Sequence, residues 1–148
     1  MSNISGNFYL VLSSDSLNST GNATSFTQVL AESVILNNNR QYEVSLVDFE
    51  CPTPNPYTNR PLHITADICV MSDVNGVLKR FIGRSMVDMP TPLEKEQFKV
   101  KSLTQEWIRL SKTTFSEVSI TIEDDAGEQV PIGDGKHSSV TICIREVQ

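Results

Sequence analysis

Asn7-Phe8-Tyr9-Leu10-Val11-Leu12-Ser13 opens a stretch that runs to Pro52 and decides the fold. A polar loop rich in Ser, Asn and Gly follows it. Next come Ser25-Phe26-Thr27-Gln28-Val29-Leu30 and Val34-Ile35-Leu36. The stretch closes with Tyr42-Glu43-Val44-Ser45-Leu46-Val47-Asp48-Phe49-Glu50-Cys51-Pro52. Tyr42, Val44 and Leu46 alternate with Glu43 and Ser45, the period-2 signal of a half-buried strand. Val47 and Phe49 continue on the opposite face, which predicts cover on both sides near the strand's end. Nowhere in the stretch does an apolar period of 3.6 residues develop.

The same pattern recurs downstream. Pro52, Pro54, Pro56 and Pro61 cannot donate to a sheet ladder, so Pro52–Pro61 reads as an extended surface loop. Ile64, Ala66, Ile68 and Val70 alternate with Thr65, Asp67 and Cys69. Asn75-Gly76 signals a tight turn, and Val77–Ile82 reads as a short strand. Gly83–Glu96 reads as loop, and Gln97–Lys101 alternates again. Glu106–Leu110 fits either a strand or one helical turn. Val118, Ile120 and Ile122 alternate with Ser119 and Thr121. A turn at Asp124-Asp125-Ala126-Gly127 then returns the chain through Glu128–Ile132 as a hairpin. Gly133-Asp134-Gly135 is a second turn, and Val140, Ile142 and Ile144 form a last strand. About eight strands punctuated by Gly, Asn and Pro predict an all-β chain. Its antiparallel strands would form two packed sheets or a closed barrel. The length of 148 residues fits one domain, 1–148, able to bury a core without metal or disulfide.

Composition narrows the function classes. Lys plus Arg is 12 and Asp plus Glu is 18, a formal net charge of −6. An acidic chain without a basic run repels phosphate backbones, so direct nucleic-acid binding is not expected. No apolar run approaches the roughly 18 residues that cross a bilayer, so no membrane insertion is expected. Met1–Gly6 lacks the basic region of a signal peptide. Without one, the acceptor patterns at Asn3, Asn18 and Asn22 read as loop composition. Cys51, Cys69 and Cys143 form no CxxC pair and sit in strand-like surroundings, which predicts buried thiols rather than a disulfide or zinc set.

Catalytic motifs are absent. There is no GxSxG, P-loop, GxGxxG or HExxH, and His63 and His137 lie near no nucleophile in sequence. No catalytic, cofactor-binding or metal residue is assigned, and no enzyme activity or cofactor is expected. The acidic run Glu123-Asp124-Asp125-Ala126-Gly127-Glu128 lacks the alternate-position spacing of a Ca²⁺ loop. It reads instead as a solvated hairpin tip. Trp107, Phe8, Phe26, Phe49 and Tyr42 read as core aromatics, although Trp107 also suits stacking against a sugar.

In its order of segments the chain resembles the single jelly-roll penton proteins of Polinton/Maverick elements, adintoviruses and virophages. The resemblance rests on Phe26-Thr27-Gln28-Val29-Leu30, then Val34-Ile35-Leu36, then Tyr42-Glu43-Val44-Ser45-Leu46 ending at Cys51-Pro52. Tyr42 stands where that family often has Trp. Ile64–Ile68, Val74-Asn75-Gly76 and Leu78-Lys79-Arg80-Phe81 resemble the family's strand–turn–Leu-Arg element. Val118–Ile122 with Gly127 and Val130-Pro131-Ile132, ending in Val140–Arg145, resembles its terminal hairpin and last strand. The resemblance implies a single jelly roll of about eight strands. It implies a structural capsid subunit of a virion that assembles as a homopentamer at icosahedral vertices, beside major capsid protein neighbours. The loops Ser13–Ser25 and Pro52–Pro61 would make the contacts. Two alternatives share the fold: a minor capsid or cement protein, and a glycan- or receptor-binding module.

Overall fold

The computed structural model describes residues 7–52, 61–84, 97–101 (as backbone), 106–130 and 136–147. Among these there is no helix. The strands are β1 (Phe8–Ser13), β2 (Ser19–Gly21), β3 (Ser25–Ile35), β4 (Tyr42–Pro52), β5 (Leu62–Ala66) and β6 (Ser72–Val74). They continue with β7 (Val77–Lys79), β8 (Phe81–Arg84), β9 (Gln97–Lys101), β10 (Ile108–Arg109), β11 (Thr114–Asp124) and β12 (Ser139–Glu146).

Alternation decides which residues meet. One sheet runs β1-β12-β4, with β10 and β9 both on the far edge of β4. The other runs β2-β3-β11-β5-β8, and β6 and β7 pair as a separate hairpin. All of these pairings are antiparallel. The first strand lies beside the last, and the chain crosses repeatedly between sheets. This order is a jelly roll: β1, β12, β4 and the split β9/β10 face β3, β11, β5 and β8.

The apolar halves of the strands close the sandwich. Leu12, Val44, Leu46, Phe49, Ile142 and Ile144 come from the first sheet. Phe26, Leu62, Ile64, Ile82, Val118, Ile120 and Ile122 come from the second, and all share one buried cluster. Phe26, Phe49 and Tyr42 are core residues, and Phe8 packs at the margin.

Two bulges change what simple alternation implies. Val47 has no partner on β12, because Thr141 pairs with Asp48 and Ile142 with Leu46. The extra residue resets the parity of β4, so Phe49 and Cys51 return to the core beside Leu46. The cover on both faces expected after Leu46 is replaced by this bulge. In β3, Leu30, Ala31, Glu32 and Ser33 stand opposite the single residue Ser116. This bulge lets Ser25–Leu30 and Val34-Ile35 belong to one strand.

Other boundaries shift for local reasons. Val77–Ile82 is two strands, because the chain leaves the hairpin at Arg80, whose carbonyl accepts a bond from Ala66 N at 2.9 Å. Asn75 and Gly76 both have positive φ, 54° and 84°, as a two-residue hairpin turn requires. Ile108–Arg109 is a strand rather than a helical turn. After the turn closed by Gly127 N to Asp124 O, the described part of the return leg makes one bridge, Glu123 with Gln129. The main partners of β11 are β3 and β5. Residues 53–60, 85–96 and 131–135 lie outside the described residues. These hold most of the proline-rich loop, the end of the expected hairpin, the Gly133–Gly135 turn and most of the expected Gly83–Glu96 loop. The first two residues of that loop are instead strand, since Gly83 and Arg84 pair with Ile64 and His63 at the end of β8.

The sheets approach closely at Gly83, where a Cβ would lie 2.6 Å from Leu46 Cδ2 and 3.1 Å from its Cβ. Leu46→Ala should cost about 2–5 kcal/mol by opening a cavity. Gly83→Val should cost about 1–3 kcal/mol by forcing the sheets apart. Urea unfolding checks both; a loss below about 0.5 kcal/mol in either would contradict this packing.

Candidate functional site

Among the described residues, exposed apolar groups stand on the loop between β1 and β3, on the outer face of the β1-β12-β4 sheet and on the β6–β7 hairpin.

The loop is fixed by short polar side chains. Ser13 N donates to Gln28 Oε1 at 2.8 Å, and Ser19 Oγ donates to Ser13 O at 2.6 Å. Asn22 Oδ1 accepts bonds from Thr24 N at 3.0 Å, Thr24 Oγ1 at 2.9 Å and Ser25 N at 3.0 Å. Ser138 Oγ donates to Ala23 O, tying the loop to the start of β12. Gly21 has φ of 117°, and a Cβ there would lie 2.3 Å from Ser25 O, so only glycine fits. At the tip the Leu17 side chain is wholly exposed (103 %). The Ser/Asn-rich composition that reads as loop is thus a hydrogen-bonded scaffold holding one apolar side chain in solvent.

On the outer face of the first sheet, Tyr9 and Val11 are exposed at 61 % and 66 %. Further across, the Arg145 guanidinium lies 3.7 Å from the Trp107 ring centroid and pairs with Glu43 at 3.1 Å. Trp107 is therefore half-buried outside the core, held by a cation–π contact. The expectation of a core tryptophan is corrected, and one ring face is already taken by Arg145. Short alternation could not reveal this, because the contact joins residues on β12 and ahead of β10.

The β6–β7 hairpin overhangs the outer face of the second sheet. Between them lies a groove of about 650 Å³, lined by Met71, Val77 and Leu78 from the hairpin side and Thr65, Ser119 and Thr121 from the sheet. Met71, Val77 and Leu78 are exposed at 54 %, 54 % and 66 %. Lys79 Nζ spans the gap to Glu123 Oε1 at 2.6 Å, with both side chains mostly buried.

Groups that could do chemistry are turned to structural use. Cys51, Cys69 and Cys143 are free and buried. Burial pushes the Cys69 thiol up to about 12 and raises Cys51 and Cys143. None is a thiolate at neutral pH, so none is an activated nucleophile. In the acidic run, Asp124 Oδ1 accepts bonds from Ala126 N at 2.8 Å and Glu128 N at 3.0 Å, and Glu123 is engaged by Lys79. Among the described residues no group of three His, Cys, Asp or Glu side chains is placed to hold a metal. His63 and His137 are on different surfaces: His63 is buried on β5, whereas His137 is exposed before β12.

No protein-family model matches the chain, and no curated protein is a significant match. Among solved structures, the chain is similar in fold to the selenomethionine-labelled mavirus penton protein. The match has a TM-score of 0.63 and 6 % identity, and it covers 95 % of this chain and 99 % of that one. The chain thus has a penton-like single jelly-roll fold.

The buried thiols make a direct test. Ellman's reagent should leave all three unreacted in the native protein and label all three in denaturant. Rapid native labelling of any one would show that its strand opens.

Proposed function

We propose that the chain is a capsid structural subunit of the penton type, assembling head to tail into a five-membered ring and contacting neighbouring capsid proteins through its loops. The observation that carries this reading is the jelly roll itself, similar along nearly its whole length to a penton protein. The surface is consistent with it. A ring built by heterologous contacts needs two unlike patches on each copy. The apolar groups exposed at Leu17, at Tyr9 and Val11, and at Met71, Val77 and Leu78 lie in three separate places. Leu17 stands on a loop ordered before any partner arrives, so little conformational entropy remains to be lost on docking.

No part of this role calls for catalysis, metal or cofactor. The acidic balance of −6 suits a shell component that does not itself bind the genome. The virion is the corresponding location.

Native mass measurement of the purified chain should give a closed pentamer, and electron microscopy should place it at five-fold vertices. A stable monomer that turns over a substrate would end this reading. Leu17→Asp should weaken ring assembly by roughly tenfold or more, while the monomer's stability changes by less than about 0.5 kcal/mol. Unchanged assembly would remove this loop from the contact.

A further inference from the structure

Outward-facing residues of an antiparallel sheet are normally solvated, yet His63 is only 2 % exposed. Its neighbours Leu62 and Ile64 point into the core, so the imidazole lies on the outer face of β5. Phe81 covers it edge-on, with ring centroids 5.4 Å apart at 76°. Its Nδ1 is buried and has no hydrogen-bond partner. The cross-strand neighbours are charged. His63 stands opposite Glu123 on β11 and opposite Arg84 on β8. Lys79 of β7 and Asp125 of the turn after β11 complete the charged groups acting on it among the described residues.

These groups form a row in which Glu123 has two possible partners. In the neutral state Glu123 is held by Lys79 at 2.6 Å, and this ion pair ties the end of the β6–β7 hairpin to the sheet. At its base Arg80 Nη1 donates to Cys69 O at 2.6 Å, joining the two legs, while Ala66 N to Arg80 O at 2.9 Å and Val70 N to Arg109 O at 3.0 Å fix those legs to the sheets. We infer that His63 is an acid-sensitive latch: on gaining a proton it takes up Glu123, frees Lys79, and lets the β6–β7 hairpin lift from the outer face of the sheet. The new cation is attracted by Asp125 and Glu123 and repelled by Lys79 and Arg84. Of the two groups that repel the new cation, Arg84 lies on β8 within the sheet and Lys79 on the separate hairpin, so the hairpin is the part able to move away. Its movement opens the groove lined by Met71, Val77 and Leu78. The latch is a property of the single chain and does not rest on ring assembly.

Burial, then the nearby Lys79, hold the His63 imidazole below its ordinary value of 6.5, with Arg84 adding to this and Asp125 and Glu123 opposing it. The released or unfolded chain therefore binds its proton at higher pH than the latched one. The latched state keeps its full stability above about pH 6.5 and loses it as pH falls from there through the depressed value.

The test is amide hydrogen exchange of the full chain from about pH 7 to about pH 5, where imidazoles titrate. Rates are scaled for intrinsic pH dependence, and both histidines are followed by NMR. His63 should titrate below its ordinary value. Protection of Ser72–Lys79 should fall in step, by up to roughly tenfold for each pK unit separating latched and released imidazole. His63→Gln should abolish the acid response, and His137→Gln should preserve it. Lys79→Met should leave the hairpin loose at every pH. A His63 that titrates at or above 6.5 would overturn the latch. So would hairpin protection that stays flat through its titration, or a His63→Gln chain that opens as before. If His63→Gln fails to fold, the wild-type titration and the Lys79→Met chain decide.

Discussion

Leu46 packed against the bare backbone of Gly83 sets how closely the two sheets approach. Around that contact the isoleucines and leucines of β4, β5, β8, β11 and β12 form one apolar layer. Each strand is fixed in rotation, because a one-residue slip would turn its apolar set into solvent. Once the strands are fixed, their intervening residues are committed to the outer faces. Glu43 and Arg145 on one side, and His63 and Glu123 on the other, are adjacent because of packing beneath them. The surface chemistry is thus a consequence of core registry.

Much of this registry was legible in the sequence, because a period of two is a direct imprint of a sheet with one apolar face. Tyr42, Val44 and Leu46 on β4, and Val118, Ile120 and Ile122 on β11, are buried as their alternation requires. The bulges were not legible. Val47 is itself apolar and strand-forming, so nothing in its chemistry marks it as the unpaired residue. The Leu30–Ser33 excess in β3 is visible only against Ser116, far along the chain. Trp107 shows the same limit, since its partner Arg145 is brought to it by sheet order.

The surface groups were less legible still. The Ser/Asn-rich segment reads as loop, yet Ser19–Gly21 within it is strand β2 paired with β3, and its rigidity comes from particular bonds, such as the three accepted by Asn22. That His63 is buried on an outward face could not be read from its place in β5. Its cover comes from Phe81, and its charged neighbours lie on β7, β8 and β11. The jelly-roll order itself followed from resemblance. Alternation alone leaves a sandwich and a barrel equally open.

A protein whose outer surfaces are fixed by its core can present contacts without adjusting them, which suits repeated docking to identical neighbours. The β6–β7 hairpin differs from the strands of the main sandwich, since its side chains take no part in the core cluster. It pairs with itself and is tied to the sheet by the Lys79–Glu123 pair and, at its base, by the Ala66 N to Arg80 O bond. Polar ties of this kind contribute less than the apolar layer and depend on protonation in a way that packing does not. Local opening is therefore expected there before the sandwich yields, since stability is lowest where few apolar contacts are buried. Because β8 supplies Phe81 over His63 and Gly83 against Leu46, the same short strand joins the packed interior to the histidine beneath the hairpin.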